Sequence, residues 1–114
     1  MAVYDGLDPQ APPIIWLGDY KDEYYSYDTI QIPFRVFDPQ AENPIVHFKR
    51  NNIELSYSPQ TITDSKNYAI FEIANPELDV INHYTITCGD GARETTRKIE
   101  IRVVKDPTRT DFGI

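Results

Sequence analysis

Cysteine is nearly absent from this sequence, because Cys88 is the only one among 114 residues. A single cysteine cannot form an internal disulfide, so the fold must be held together by its apolar core. This usage fits a reducing compartment, or an extracellular particle that is assembled in the cytoplasm.

Positive charge is also scarce. The chain has 11 Lys and Arg residues against 18 Asp and Glu residues, which gives a net charge of -7. A nucleic-acid partner is not expected, because phosphates are bound by clustered cations. We expect the partners to be proteins, neighbouring modules of the same assembly, or a glycan.

Long apolar runs are missing as well. No stretch approaches the ~20 apolar residues of a membrane-spanning helix, so membrane insertion is not expected. The first residues, Met1 to Gly6, lack the basic start and apolar run of a signal peptide.

No motif for catalysis or for a cofactor is present. His47 and His83 lie on different predicted strands, and neither has a Cys or a carboxylate at ligand spacing. Cys88 falls at an inward position of a strand, where a thiol acts as a small apolar filler. We expect neither enzymatic activity nor a cofactor.

Acidic loop residues are the only candidates for a metal. Asp38 and Glu42 could contribute oxygens to a calcium ion, together with Asp19, Asp22 and Asp90, but no run matches a dedicated calcium loop. We therefore predict no metal site, with Asp38 and Glu42 as the calcium candidates.

Apolar and polar residues alternate through most of the chain. In the strongest case Ile30, Ile32, Phe34 and Val36 alternate with polar or bulky residues, which predicts a core strand. Six more strands are predicted at 14–17, 46–49, 53–57, 68–73, 83–88 and 99–103. Asn51 and Asn52 favour a tight turn between two of them. The sequence thus predicts an all-β fold, a seven-stranded antiparallel β-sandwich.

One domain accounts for this pattern. We place it at 12–105, after an N-terminal linker at 1–11 and before a C-terminal linker or tail at 106–114.

Three segments carry a resemblance to a known superfamily. They are Pro12-Pro13-Ile14-Ile15, the strand and turn from Asp28 to Pro39, and Leu78-Asp79-Val80-Ile81-Asn82-His83-Tyr84-Thr85-Ile86. Together they resemble the immunoglobulin-like superfamily, in particular cadherin-like and bacterial immunoglobulin-like repeats and the immunoglobulin-like domains of tailed-phage virions.

The resemblance implies structural roles for four residues. Tyr84 corresponds to the corner tyrosine, whose hydroxyl ties a crossing loop to its strand. Ile86 takes the place of the second core cysteine, and Phe34 or Ile32 that of the first. Trp16 is the candidate core tryptophan, although it lies in the first strand and not in the third.

The segment from Tyr20 to Asp28 is the candidate ligand-binding site. Its four tyrosines are Tyr20, Tyr24, Tyr25 and Tyr27, and rigid amphipathic rings beside carboxylates suit both protein hot spots and the stacking of sugar rings. The structural alternative is that two or three of these rings pack over a sheet edge.

Two functions are compatible with these features. The first is a non-catalytic structural or adhesion module of a larger surface or virion assembly, phage-like in kind, that binds a protein or a glycan. The second is a carbohydrate-binding or spacer module of a carbohydrate-active enzyme, with Tyr24, Tyr25 and Tyr27 as its platform. An extracellular surface or a virion is the expected location.

Overall fold

The computed structural model describes residues 11–64, 66–90 and 93–105, and within these ranges the chain forms nine β-strands and no helix. The strands are β1 (Ile14–Leu17), β2 (Glu23–Tyr25), β3 (Ile30–Phe37), β4 (Ile45–Arg50), β5 (Ile53–Glu54), β6 (Gln60–Thr61), β7 (Ala69–Ile73), β8 (Ile81–Asp90) and β9 (Arg93–Val104). The seven predicted strands are all present, and β2 and β6 are short additions.

Two sheets face each other. The smaller sheet has the order β1-β3-β7, and the larger has the order β2-β9-β8-β4-β5, with β6 paired to β4. Every pairing is antiparallel except that of β2 with β9, which is parallel. β2 is not predictable from the strand pattern, because the tyrosine-rich segment that contains it lacks a period of two.

The core lies between the sheets and follows the predicted alternation. From β3, the side chains of Ile30, Ile32, Phe34 and Val36 point inward and are 3% exposed or less. The larger sheet contributes Val46, Phe48, Tyr84, Ile86, Cys88, Ile99, Ile101 and Val103. These residues share one continuous apolar cluster, so burial of alternate side chains is what holds the sandwich together.

Aromatic rings form the centre of this core. Phe48 stacks on Phe71 with a centroid distance of 4.7 Å, and Phe34 meets Phe48 edge to face at 5.6 Å. Tyr84 meets Phe71 in the same edge-to-face manner at 5.7 Å. These geometries are the favoured ones for aromatic pairs.

Pro33 is accommodated at the end of a ladder. Its carbonyl oxygen accepts a hydrogen bond of 2.7 Å from the Gly18 amide, one residue beyond the end of β1. The proline nitrogen faces the same side, where β1 has already ended, so little pairing is lost. Gly18 is required there, because a Cβ atom would lie 2.9 Å from the Pro33 ring.

Turn residues occupy the backbone conformations that their types favour. Asn51 and Asn52 have φ angles of 52° and 68°, which confirms the predicted tight turn between β4 and β5. Gly89 has a φ of 105° near the end of β8. Gly91 and the linker at 106–114 lie outside the described residues, as does the linker at 1–11 except for Ala11.

The free edge of β1 is covered by side chains of β9. Thr95 donates a hydrogen bond to the Pro13 carbonyl, and Arg97 donates one of 2.7 Å to the Ile15 carbonyl. Edge carbonyls that are already satisfied cannot accept another strand.

The chain enters and leaves the sandwich at opposite poles. Ile14 begins β1 opposite Phe37, the last residue of β3. At the other end of the sandwich Val104, the last residue of β9, accepts a hydrogen bond from the amide of Ser26, shortly before β3 begins. We call these two ends the N-terminal pole and the C-terminal pole.

Candidate functional site

The tyrosine-rich segment crosses from the smaller sheet to the larger one. After Gly18 the chain no longer pairs with β3. In β2, residues 23–25 then pair with residues 102–104 of β9. The Asp22 carbonyl accepts a hydrogen bond of 2.9 Å from the Arg102 amide, which extends this pairing. The segment is therefore fixed by backbone bonds on its inner side.

Tyr24 points inward. Its ring is partly buried against the core, with the Lys21 ammonium 5.7 Å from the ring centroid on the outside. Its hydroxyl accepts a hydrogen bond of 2.8 Å from the Lys21 amide. Tyr24 consequently closes the sheet edge and offers little surface to a ligand.

Tyr25 and Tyr27 point outward and form a pair. They are 42% and 57% exposed, and their rings stack with a centroid distance of 5.6 Å and an interplanar angle of 16°. Asp28 holds the turn between them, because its carboxylate accepts a bond of 2.7 Å from the Tyr25 amide and its own amide donates one of 2.9 Å to the Tyr25 carbonyl. Tyr20 is exposed in the crossing segment before β2. The four predicted tyrosines therefore do not form one surface.

Apolar side chains that the sequence did not single out also lie at the C-terminal pole. Leu78 forms a bridge to Val103, on the other side of β9 from β2, and Leu78, Val80 and Ile81 are each more than two-fifths exposed. We call the group formed by Tyr25, Tyr27, Leu78, Val80 and Ile81 the C-terminal pole cluster.

A cavity of about 330 Å³ opens at this pole between the two sheets. Its walls are formed by Tyr25, Ser26, Asp28, Ile30, Ile73, Asn75, Pro76, Leu78 and Val103. The surface that these residues expose to the cavity is more polar than apolar, and the Asp28 carboxylate is part of it. The pole therefore offers a recess in which a neighbouring module could make polar as well as apolar contacts.

Asn82, and not Tyr84, holds the loop that crosses this pole. The Asn82 side-chain oxygen accepts a hydrogen bond from the Glu77 amide, and its nitrogen donates one to the Glu77 carbonyl, both at 2.9 Å. A further bond of 3.3 Å runs from the same nitrogen to the Val80 carbonyl. Asn82 is 2% exposed, so these bonds are shielded from water.

Tyr84 is buried in the core, and its hydroxyl makes no hydrogen bond of regular geometry among the described residues, although the Arg50 guanidinium lies close enough to interact with it. Burial raises the pKa of this hydroxyl, and the Arg50 guanidinium offsets part of the shift. The role that the resemblance gave to the tyrosine hydroxyl is thus performed by the Asn82 amide, two residues earlier on the same strand.

The other three structural candidates differ in their placement. Phe34 and Ile86 are fully buried, one in each sheet, and belong to the same core cluster. Trp16 is 40% exposed on the outer face of β1, because Ile15 and Leu17 take the inward positions of that strand. The Arg35 guanidinium lies 5.0 Å from the centroid of its ring. Trp16 therefore does not enter the core.

The calcium candidates do not converge. Asp38 accepts a hydrogen bond of 2.9 Å from the Gln40 amide within its own turn, and Glu42 is exposed. Across residues 11–64, 66–90 and 93–105, no group of three or more His, Cys, Asp or Glu side chains is arranged to hold a metal ion. No helix in these ranges has the length and apolar character for crossing a membrane.

Both histidines belong to exposed pairs on the outer face of the larger sheet. The His47 ring nitrogen lies 2.7 Å from a Glu54 carboxylate oxygen, and that of His83 lies 3.1 Å from Glu100. A hydrogen bond from Ser58 and the nearby His47 lower the pKa of Glu54. These contacts connect neighbouring strands of the larger sheet.

Two groups in or beside the core have pKa values well above the ordinary ones. Burial, with a contribution from Asp38, raises the pKa of the Cys88 thiol to about 11. Burial likewise raises the pKa of Tyr57 to about 12, and its hydroxyl donates a hydrogen bond of 2.8 Å to the Glu72 carbonyl. Cys88 is thus a neutral filler of the core and not an activated nucleophile.

Two solved structures are similar to this chain. The crystal structure of the titin M3 domain superposes with a TM-score of 0.60 at 17% identity, over 83% of this chain and 99% of that one. The fold is immunoglobulin-like. Fibronectin(III)-like modules of CbhA from Clostridium thermocellum superpose with a TM-score of 0.55 at 12% identity, over 89% of this chain and 50% of theirs. No family model and no curated protein matches the sequence.

The predicted all-β immunoglobulin-like sandwich is confirmed by this likeness, which at such low identity concerns the fold alone. The cadherin-like and phage types remain predictions.

Sequence reasoning missed a second surface of this immunoglobulin-like domain. On the outer face of the smaller sheet, Ile14, Trp16, Tyr68 and Ile70 are each at least two-fifths exposed. The available signal was the composition of β1, Ile-Ile-Trp-Leu, which is apolar on both faces, whereas an antiparallel strand with one solvated face normally alternates.

Proposed function

We propose that the chain is a non-catalytic structural module of a larger surface or virion assembly, in which it contacts neighbouring modules end to end. The observation that carries this proposal is the position of its ends: the chain enters at one pole and leaves at the other. A module with this geometry can be inserted into a linear array without folding the chain back over its own surface.

The C-terminal pole cluster supports a contact with a neighbouring module at that pole. Scattered exposed apolar residues are normal, but a group of five near the point where the chain leaves the domain, of which Tyr25 and Leu78 line the cavity, is typical of an interface. The stacked pair of Tyr25 and Tyr27 would supply rigid contact area at a low cost in side-chain entropy.

The proposal can be tested on a fusion of two full chains by small-angle X-ray scattering. We expect an extended particle with a preferred arrangement of the two domains. Replacing Tyr27 and Leu78 by Ser in the first copy should loosen that arrangement, because both side chains are exposed at its C-terminal pole. Lys98→Ser is the control, since this residue is exposed in the middle of the outer face of the larger sheet, at a distance from both poles. Two domains that tumble independently in the unaltered fusion would refute the proposal.

The alternative, a carbohydrate-binding module built on Tyr24, Tyr25 and Tyr27, has less support. Tyr24 is directed inward, and Tyr25 and Tyr27 cover one face of each other. Stacking on a sugar requires free ring faces side by side. We therefore expect unchanged mobility of the Tyr25→Ala and Tyr27→Ala variants in affinity electrophoresis with soluble cellulose, xylan and chitin derivatives.

A further inference from the structure

The outer face of the smaller sheet is apolar where solvent would favour polar side chains. Ile14 and Trp16 of β1 are 41% and 40% exposed, and Tyr68 and Ile70 beside β7 are 54% and 48% exposed. The other face of the same strands already supplies the core. An antiparallel sheet with apolar side chains on both faces is expected to be covered on both.

The strand register places three residues of this face in one row. Trp16 pairs with Arg35, whose guanidinium lies over its ring. Ala69 pairs with Phe34, so Tyr68, one residue earlier, reaches the level of Arg35 from the other side. Trp, Arg and Tyr are the residue types that carry most of the binding energy at protein interfaces.

A hollow lies directly beside this row. This shallow, open depression of about 470 Å³ is lined by Leu17, Gly18, Asp19, Pro33 and Tyr68. The Gly18 amide is bonded to the Pro33 carbonyl, and the Pro33 ring lies where a side chain at position 18 would project. Trp16 is two residues before Gly18 in the chain, so an exposed ring and a depression are neighbours on one face.

This arrangement is self-complementary. In a two-fold contact, residue i of one copy meets residue j of the other, and the reverse also holds. If two copies pack face to face with their strands antiparallel, Trp16 of each copy meets the hollow at Gly18 of the other. Asp19 at the rim of each hollow then approaches Arg35 of the other copy. If the strands of the two copies ran parallel, Arg35 of one copy would instead face Arg35 of the other. The like charges would then oppose the contact.

We propose that the outer face of the smaller sheet binds a second copy of this chain, with Trp16 of each copy seated over Gly18 of the other and Asp19 paired with Arg35 across the contact. A second copy is the occupant that fits, because one surface carries the projection, the hollow and both charges. The contact is small, so we expect a dissociation constant on the order of 10–100 µM.

The first experiment is sedimentation equilibrium of the full chain over a wide range of concentrations. We expect a monomer that converts to a dimer, and Trp16→Ala should weaken the dimer at least about tenfold, because it removes the central ring. Leu78→Ser is the control, since it alters the C-terminal pole and leaves this face intact. Circular dichroism establishes that each variant is folded. A chain that stays monomeric at all concentrations, or a Trp16→Ala variant that dimerises as tightly as the unaltered chain, would overturn the proposal.

A charge exchange identifies the geometry. Asp19→Arg and Arg35→Asp each place like charges opposite one another in a symmetric pair, so each variant alone should be monomeric. Mixed in equal amounts, they should dimerise, because both Asp19–Arg35 contacts are restored as pairs of opposite charge. A mixture that remains monomeric while the unaltered chain dimerises would contradict the antiparallel two-fold arrangement. The end-to-end proposal rests on other residues, so either proposal can fail without the other.

Discussion

Exchanging Asn82 for Asp tests which residue fixes the loop at the C-terminal pole. The change replaces the amide nitrogen by an oxygen and leaves the shape of the side chain almost unaltered. The nitrogen donates to the Glu77 and Val80 carbonyls, at 2.9 Å and 3.3 Å, so a carboxylate oxygen would there face two carbonyl oxygens. The bond from the Glu77 amide, at 2.9 Å, would remain.

The magnitude follows from these bonds. Each lost hydrogen bond is worth about 1 kcal/mol net, and leaving the buried groups without partners adds about 1–2 kcal/mol. We therefore expect Asn82→Asp to lower the free energy of unfolding by about 3–4 kcal/mol at neutral pH in urea titrations followed by circular dichroism. Protonation would restore one donor, so the pKa of the new carboxyl should be higher in the folded chain than in the unfolded one. The deficit should therefore be smallest near pH 4 and should grow as the pH rises.

Tyr84→Phe is the control for this reasoning. The Tyr84 hydroxyl makes no hydrogen bond of regular geometry among the described residues, so its removal loses the interaction with the nearby Arg50 guanidinium and should change stability by less than about 1 kcal/mol. If Tyr84→Phe destabilised the chain more than Asn82→Asp, the tyrosine would be the residue that fixes the loop and our assignment would be refuted.

Three further results are expected from unfolding measurements. Gly89→Ala should cost at least about 2 kcal/mol, because the new Cβ would lie 2.1 Å from the Arg93 carbonyl oxygen and the φ angle is positive; a neutral effect would contradict that backbone geometry. Asn52→Gly should stabilise the turn by about 0.5 kcal/mol at its φ of 68°, and a loss of stability would count against a turn of this kind. The free energy of unfolding should fall as the pH rises above about 9, because the pKa values of Cys88 and Tyr57 are raised in the folded chain. In this range the unfolded chain releases protons that the folded chain keeps. Cys88→Ala should reduce this loss of stability at alkaline pH.

The parts of the fold that the sequence predicts are those governed by local chemistry. The period of two in β3 identified four core residues, because a side chain on an antiparallel strand is either in the core or outside it. Asn51 and Asn52 identified a turn, because few residue types tolerate a positive φ.

The parts that the sequence could not predict depend on contacts between distant segments. β2 forms because its residues pair with β9, with Tyr24 beside Val103. A strand of three residues is too short to show an alternating pattern in the sequence. The resemblance makes Trp16 the candidate core tryptophan, whereas the register of β1 assigns the inward positions to Ile15 and Leu17. The hydrogen bonds between Asn82 and the loop depend on the path of the loop, and the alternation of apolar and polar residues does not predict them.

The parallel pairing of β2 with β9 has a mechanical consequence. When the two ends of the domain are pulled apart, β2 is drawn toward the N-terminal pole and β9 toward the C-terminal pole, along their common axis. The hydrogen bonds between them lie across that axis, so they are loaded together in shear and do not open one after another. The side-chain bonds from Thr95 and Arg97 to β1 lie across the same direction. A sandwich connected in this way is expected to resist tension better than its short strands alone would suggest.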